Sequence, residues 1–344
     1  MDTLLLNVQQ NEHADQIYSK HKNVAMERQH YRFIDLFAGI GGIRIGFEFY
    51  GGQCVFSSEW DIHAQKTYEA NFGELPHGDI TKISPNDIPD HDILLAGFPC
   101  QPFSILGDKK GFYDTRGTLF FHIEQILRVK RPYAFLLENV KNLRSHDKGR
   151  TFKTIIDILK SLKYHVHDDV LNALDFGLPQ KRERTFIVGF TEDIEFHFPK
   201  PLGIKASLSD ILEDDKDVDP KLYASDQIYK NRINKCKITP FYPSVWHENK
   251  SGNISILPYS CALRANASYN YLLVNGKRRP SPRELLRLQG FPDSYKIVVS
   301  TYEIRKQTGN SVAVPVVKAI AEEMLRSIRE RKPRNIPEKQ MFLF

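Results

Sequence analysis

A mostly apolar run, Arg32-Phe33-Ile34-Asp35-Leu36-Phe37, leads straight into Ala38-Gly39-Ile40-Gly41-Gly42. The run has the length and bulk of a buried strand, and a helix pattern follows over residues 43–50. A strand that turns through glycines into a helix brings backbone N–H groups close to a ligand at the helix N-terminus. Gly39, Gly41 and Gly42 are therefore candidate cofactor contacts. Gly51 and Gly52 stop the helix. A second strand over 53–58 and a second helix over 61–71 follow, with Asp61 as its cap. This β-turn-α-β-α order predicts an α/β fold with a doubly wound, mostly parallel sheet.

Glu59 lies twenty residues beyond Gly39, at the end of the second strand. An acid there commonly holds ribose hydroxyls. Trp60 follows and could stack on an adenine face, or simply pack in the core. Turn, acid and tryptophan together predict a nucleoside cofactor, without separating a nicotinamide from S-adenosylmethionine. Gly78-Asp79-Ile80 offers a further acid near the base, or a plain Gly-Asp turn.

A second apolar run, Ile93-Leu94-Leu95-Ala96, ends in Gly97-Phe98-Pro99-Cys100-Gln101-Pro102-Phe103-Ser104. Cys100 then sits just past a strand end, where open α/β sheets place their ligand sites. It reads as an aimed nucleophile or as a buried structural cysteine in a tight turn. The next loop, 105–117, carries glycines with Lys109, Lys110 and Arg116, as a lid over an anionic substrate or a surface loop would. A helix is expected over 118–130. Pro132-Tyr133-Ala134-Phe135-Leu136-Leu137-Glu138 then places a carboxylate at another strand end, on the sheet edge of Cys100. Such a carboxylate must be paired, solvated or protonated, and a raised pKa would suit a general acid; a structural, hydrogen-bonded Glu is the alternative. Further on, a helix over 151–162 and a strand within 164–174 precede Gln180-Lys181-Arg182-Glu183-Arg184 and a strand over 185–190. On extended chain Arg182 and Arg184 share a face and could hold a phosphate or carbonyl, or form a solvated charge run.

Phe37-Ala38-Gly39-Ile40-Gly41-Gly42, Gly97-Phe98-Pro99-Cys100-Gln101, Glu138-Asn139-Val140, Gln180-x-Arg182-x-Arg184, Arg283-Glu284-x-x-Arg287-Leu288-Gln289-Gly290-Phe291-Pro292 and Gly309-Asn310-Ser311-Val312 occur in that order. Together they resemble the ordered motif set of the DNA (cytosine-5)-methyltransferases, and length and spacing resemble the short bacterial modification methylases of the HpaII and HhaI type. The likeness covers residues 31–190 and 277–328. It implies the S-adenosylmethionine-dependent methyltransferase fold and S-adenosylmethionine as cofactor. It implies methyl transfer to C5 of a flipped-out cytosine in a short duplex DNA site, in a restriction-modification setting. Cys100 would be the nucleophile, Glu138 the group on N3, Arg184 the group on O2, and Arg182 a support for the loop or a phosphate. Phe37, Gly39, Gly41, Gly42, Glu59, Trp60, Asp79, Ile80, Pro99 and Asn310 would line the cofactor site. Gln101, Ser104 and Arg116 would meet DNA.

The resemblance divides the chain into a polar arm (1–29), a catalytic domain (30–190 with 307–330), a smaller, β-rich target-recognition domain (191–276), a hinge (277–306) and a tail (331–344). Residues 210–219 are acidic and unsuited to face DNA. His247, Arg264, Asn266 and Asn270 could read base edges. Lys277, Arg278, Arg279, Arg283 and Arg287 make a basic hinge able to meet phosphates, with Ser281 and Pro282 opening a helix. A further helix is expected over 310–328. The final Gln340-Met341-Phe342-Leu343-Phe344 looks like a sliding-clamp-binding peptide, or like a terminus docked on its own domain.

A net charge of +6 over 344 residues permits nucleic acid without requiring it. The four cysteines lie far apart, with no zinc or disulfide spacing, which fits a reducing cytoplasm. The sequence has neither a secretory leader pattern nor an apolar stretch of membrane-spanning length, and a metal-free monomer is expected. Three rivals remain: an RNA cytosine-5 methyltransferase, a nicotinamide oxidoreductase, which would leave Cys100 and Glu138 unexplained, and a catalytically silent DNA-binding regulator.

Overall fold

The computed structural model describes residues 31–99 and 119–330. Cys100, Gln101, Ser104, Arg116, the polar arm and the segment from Gln340 to Phe344 lie outside the described residues.

The main sheet has six strands: β1 (Arg32–Leu36), β2 (Gln53–Ser58), β3 (Ile93–Gly97), β4 (Ala134–Val140), β5 (His165–Asn172) and β7 (Glu183–Phe190), with the two-residue β6 (Gln180–Lys181) outside it. Their order is β2-β1-β3-β4-β7-β5. β1 runs parallel to β2 and β3, and β3 parallel to β4. β7 inserts antiparallel between β4 and β5. The near-continuous apolar runs of β3 and β4 arise because both faces of these strands are covered.

Alternate residues feed two cores. Phe33, Leu95, Leu136 and Val188 face one side, against Val317, Ile320 and Met324 of the C-terminal helix. Ile34, Leu94, Phe135 and Leu137 face the other, against Ile123, Leu127, Ile155 and Leu159. The sheet is therefore doubly wound as the sequence predicts. Helix α1 (Gly42–Glu48) follows the glycine turn. Helix α2 (Ile62–Phe72) opens on Asp61, whose carboxylate accepts from the backbone N–H groups of His63 and Ala64. Helices α3 (Leu119–Lys130) and α4 (Arg150–Ser161) cover the second face.

Past β7 lies helix α5 (Asp226–Ile233), then a three-stranded antiparallel sheet with β8 (Val245–Glu248) between β9 (Ile254–Leu257) and β11 (Leu272–Val274). The rest of this region is largely turns and short 3-10 segments, so its strand content is modest. β10 (Ser260–Cys261) leaves this region and pairs in parallel with β6. Helix α6 (Pro282–Leu288) starts at Ser281, which forms the expected cap with Glu284. Leu208, Ile211, Val245 and Leu272 share one core with Leu285, Leu288 and Ile304, so the segments expected as recognition domain and hinge pack against each other here.

The helix expected over 310–328 starts four residues later, as α8 (Val314–Glu330), and a separate helix, α7 (Thr301–Asn310), precedes it. Ser311 between them is extended, and the carbonyls of Gly309 and Ser311 accept from the Arg182 guanidinium rather than from a following helical turn. Asn310 therefore ends a helix.

Candidate active site

The carboxyl ends of β3 and β4 lie side by side, with Gly97 opposite Glu138. Phe98 and Pro99 continue from β3 towards Cys100. The Asn139 side-chain amide donates to the Phe98 carbonyl at 2.8 Å, and its own oxygen accepts from the Val140 N–H at 2.8 Å. Asn139 stood out in the sequence only within the Glu138-Asn139-Val140 motif, with no role of its own.

Glu138 is paired with Arg184 of β7, Oε1 to Nε at 3.1 Å, both side chains largely buried. The β4–β7 register sets Glu138 opposite Phe186 and Val140 opposite Arg184, a diagonal within reach of a long side chain. Burial pushes the Glu138 carboxyl above the usual carboxylate range, against the opposing pull of Arg184 and Arg182. A rise in that direction suits a carboxyl that gives a proton to a ring nitrogen. The strand-end position thus brings together Glu138, Arg184 and the turn that leads to Cys100.

Arg182 does not share this task. Its guanidinium turns away and donates to the carbonyls of Leu263, Gly309 and Ser311. Burial closes it off from phosphate: it is 2% exposed. The expectation that Arg182 and Arg184 act together on one anion is corrected by this divergence. Extended alternation puts two side chains on one side, but Arg182 stands at the junction between β6 and β7, where the chain packs against a different partner.

At the carboxyl end of β1, on the same sheet edge as Gly97 and Glu138, the turn takes an unusual path. Phe37, Gly39 and Gly41 all have positive φ, at 55°, 56° and 75°. For a bulky residue such as Phe37 this is a strained conformation. The Glu59 carboxylate holds the turn in place, accepting from the Gly39 N–H and the Asp61 N–H, each at 2.8 Å. Burial raises its pKa, and these two N–H groups oppose the rise. A carboxylate has about four acceptor positions, so two donors leave capacity for hydroxyl groups. Trp60 is 80% exposed, which removes the core-packing alternative. A Cβ at Gly39 would meet only the Phe37 carbonyl at 3.9 Å, so there is room over the turn. Asp79 caps a short 3-10 segment through the Thr81 N–H, which holds its pKa below the usual value, and Ile80 beside it is buried. Pro99 and Asn310 are exposed. An acid with spare acceptors, an open glycine and an unstacked indole fit an adenosine-bearing cofactor.

The basic hinge is mostly spent inside the protein. Arg278 is forked onto Glu284 at 2.8 Å and reaches Asp215 at 2.7 Å. Arg287 makes two 2.7 Å bonds with Asp293. Arg279 donates to Asn270 and to carbonyls of residues 221–223, and Arg283 to the Tyr295 carbonyl. Lys277 is exposed. The acidic stretch near residue 215 thus serves to neutralise the hinge. On the recognition side, Arg264 lies over the Tyr271 ring with its guanidinium 3.4 Å from His247 Nε2. Tyr269 is flanked by Arg279 and by Arg305, a residue the sequence did not single out. Asn266 is exposed.

Among the described residues no cluster could hold a metal ion, and no helix is long and apolar enough to cross a membrane.

Among curated proteins the chain is 61% identical over 298 residues to the type II methyltransferase M.HaeII of Haemophilus aegyptius, covering 87% of this chain and 94% of that one. It is 61% identical over 289 residues to M.NgoBI of Neisseria gonorrhoeae, covering 84% and 91%. Among solved structures, the Entamoeba histolytica methyltransferase EhMeth superposes with a TM-score of 0.69 at 17% identity, covering 87% of this chain and 99% of that one, a likeness of fold alone. The family model for C-5 cytosine-specific DNA methylases matches residues 31–326, the stretch that contains the Glu138–Arg184 pair and the glycine turn, and the chain belongs to that family.

Proposed function

We propose that this enzyme transfers a methyl group from S-adenosylmethionine to C5 of a flipped-out cytosine within a short, specific duplex DNA site, as the modification partner of a restriction enzyme. The names of its relatives, type II methyltransferases, support the restriction-modification setting. The observation that carries the chemistry is the buried Glu138–Arg184 pair beside the strand that runs into Cys100.

Cytosine C5 is a poor nucleophile until a group adds at C6. The Cys100 thiolate forms the bond to C6. Electron density moves to C5 and the ring N3 takes the proton that Glu138 holds. Arg184, fixed by Glu138, hydrogen-bonds the O2 carbonyl and stabilises the charge that gathers there. Glu59, Trp60 and the Gly39 turn would hold S-adenosylmethionine, with Phe37, Asp79 and Asn310 around it, and its sulfonium would supply an electrophilic methyl group, the S–CH3 bond breaking to leave S-adenosylhomocysteine. Once C5 carries the methyl group, a base removes the C5 proton, the C5–C6 double bond re-forms, the Cys100 sulfur leaves as thiolate and N3 returns its proton to Glu138. Stacking hides both faces of a paired base, so the cytosine must swing out, at a cost of a few kcal/mol met by phosphate and groove contacts. Lys277, Arg305 and Arg264 are the described cations we assign to those contacts, with Gln101, Ser104 and Arg116 beside the flipped base.

The test is tritiated methyl transfer to unmethylated DNA followed by bisulfite sequencing, with wild type and Cys100→Ser in parallel. Protection at one short cytosine motif, lost in the variant, is the expected result. Incorporation into RNA alone would replace this reading with the RNA enzyme. Clamp binding that survives deletion of residues 340–344 would remove the sliding clamp as a partner of the tail. We take the working unit as a cytoplasmic monomer on duplex DNA; a dimer by sedimentation would revise that.

A further inference from the structure

We propose that Arg182, assisted by Gln180, is a positioning residue that couples reading of the target sequence to the catalytic Arg184–Glu138 pair; the inference rests on the function proposed above. The argument starts from Leu263. Its N–H donates to Gln180 Oε1 at 3.0 Å, and its carbonyl accepts from Arg182 at 3.0 Å. Both backbone groups of one recognition-segment residue are thus held by two residues of the strand that continues into Arg184. β10 pairs with β6 immediately before this point, which fixes the register.

The next residue, Arg264, is exposed and held against Tyr271 and His247. It is the described side chain best placed to present a guanidinium to a base edge. Arg182 also donates to the carbonyls of Gly309 and Ser311, on either side of Asn310 at the cofactor end of α7. A Cβ at Gly309 would overlap the backbone at Arg264 and Ala265, so helix end and recognition segment are in direct contact there. One buried guanidinium therefore ties three segments that are distant in sequence. Two residues further along the strand, Arg184 meets Glu138 at 3.1 Å.

A brace alone would not need this residue. A buried charge is costly, and well-packed apolar side chains commonly stabilise as well or better. Arg182 has no carboxylate in hydrogen-bonding contact, and its Nε has no hydrogen-bond partner. What the guanidinium adds over an apolar side chain is direction: three carbonyls must sit at fixed angles to it. If DNA moves the Leu263–Arg264 backbone on docking, that movement reaches the carbonyl bonded to Arg182 and the strand holding Arg184.

The experiment uses the full chain with Arg182→Met, Arg182→Lys and Gln180→Met. Steady-state kcat and KM are measured on the duplex that wild type methylates and on duplexes with one base pair of the site changed, alongside melting curves. For Arg182→Met the cognate kcat/KM is expected to fall far more than that of the altered duplexes. Discrimination should shrink by about tenfold or more, the size of one base-pair mismatch effect. The loss should lie mainly in kcat, and Arg182→Lys should recover part of it. Equal losses on every duplex, or a lower melting temperature with discrimination intact, would make Arg182 a brace and overturn the proposal. Should Arg182→Met not fold, Gln180→Met, which frees the Leu263 N–H along with the Leu288 carbonyl and Gln289 Oε1 while leaving the Arg182 bonds in place, supplies the same ratio. Wild type that methylates no DNA would defeat the functional reading and this inference together, a result distinct from variants that merely keep their discrimination.

Discussion

Asn139 and Phe98 are 41 residues apart in the chain and joined by a 2.8 Å hydrogen bond between side-chain amide and backbone carbonyl. The bond crosses from the end of β4 to the end of β3, two residues before Cys100. It fixes the backbone at Phe98, from which the chain continues through Pro99. Asn139→Ala should leave cofactor affinity intact and lower kcat by about 10–100-fold, the usual effect of misplacing a reacting group by an ångström. It should also lower stability by ~1–3 kcal/mol through the unpaired Phe98 carbonyl and Val140 N–H. Single-turnover methylation with saturating DNA and cofactor, beside a denaturant melt, measures both; an unchanged rate would show that the turn is held by other means.

Glu138→Gln keeps the shape of the side chain and its hydrogen bonding but removes the titrating proton. Arg184 then loses its counter-charge in a buried site. A fall in kcat of about 10²–10⁴-fold is expected, with DNA binding retained. A variant within a few-fold of wild type would assign the N3 proton to another group.

The chain has two tryptophans. Trp246 is 1% exposed and Trp60 is 80% exposed. Cofactor binding should therefore quench emission from Trp60 alone, and Trp60→Phe should abolish the change. Trp60→Ala should weaken the cofactor by about 5–100-fold, the value of ~1–3 kcal/mol of base stacking. Calorimetry with S-adenosylhomocysteine reads the affinity directly, and an unchanged dissociation constant would remove the stacking role.

Asp35 sits in β1 beneath the glycine turn, 0% exposed, and neither carboxylate oxygen has a hydrogen-bond partner. Burial pushes its pKa well above the ordinary aspartate value, with Arg44 opposing and Glu48 and Glu59 reinforcing the rise. The folded state therefore holds a proton that the unfolded chain gives up. Its contribution is most favourable below the unfolded pKa and is lost as pH rises towards the folded one. Asp35→Asn removes that slope. The variant should melt with wild type near pH 4 and above it by about 1–3 °C at pH 8, for ~1–2 kcal/mol. Parallel melting curves across that range would show that the carboxyl is not protonated in the fold.

Whereas β8 to β11 were not individually placed, the strands of the main sheet, the glycine turn, the Asp61 and Ser281 caps and the strand-end placement of Glu138 were legible in the chain. Each is set by local chemistry: apolar runs of strand length, residues tolerant of positive φ, and side chains that satisfy free helix N–H groups. The order of motifs carried the resemblance to the family as well. The partners of the arginines were another matter. Arg182 and Arg184 look equivalent in sequence, yet one braces three carbonyls and the other meets Glu138. The hinge arginines look free, yet Arg278 and Arg287 are neutralised by Glu284, Asp215 and Asp293. The carbonyls of Gly309 and Ser311 at the break between α7 and α8 are taken by Arg182 from far away in the chain. A long cation can satisfy its donors at many distant acceptors, and only the packed chain selects among them. The sequence by itself determined the elements and the chemistry at their ends; tertiary packing decided which charges remain free to act on a substrate.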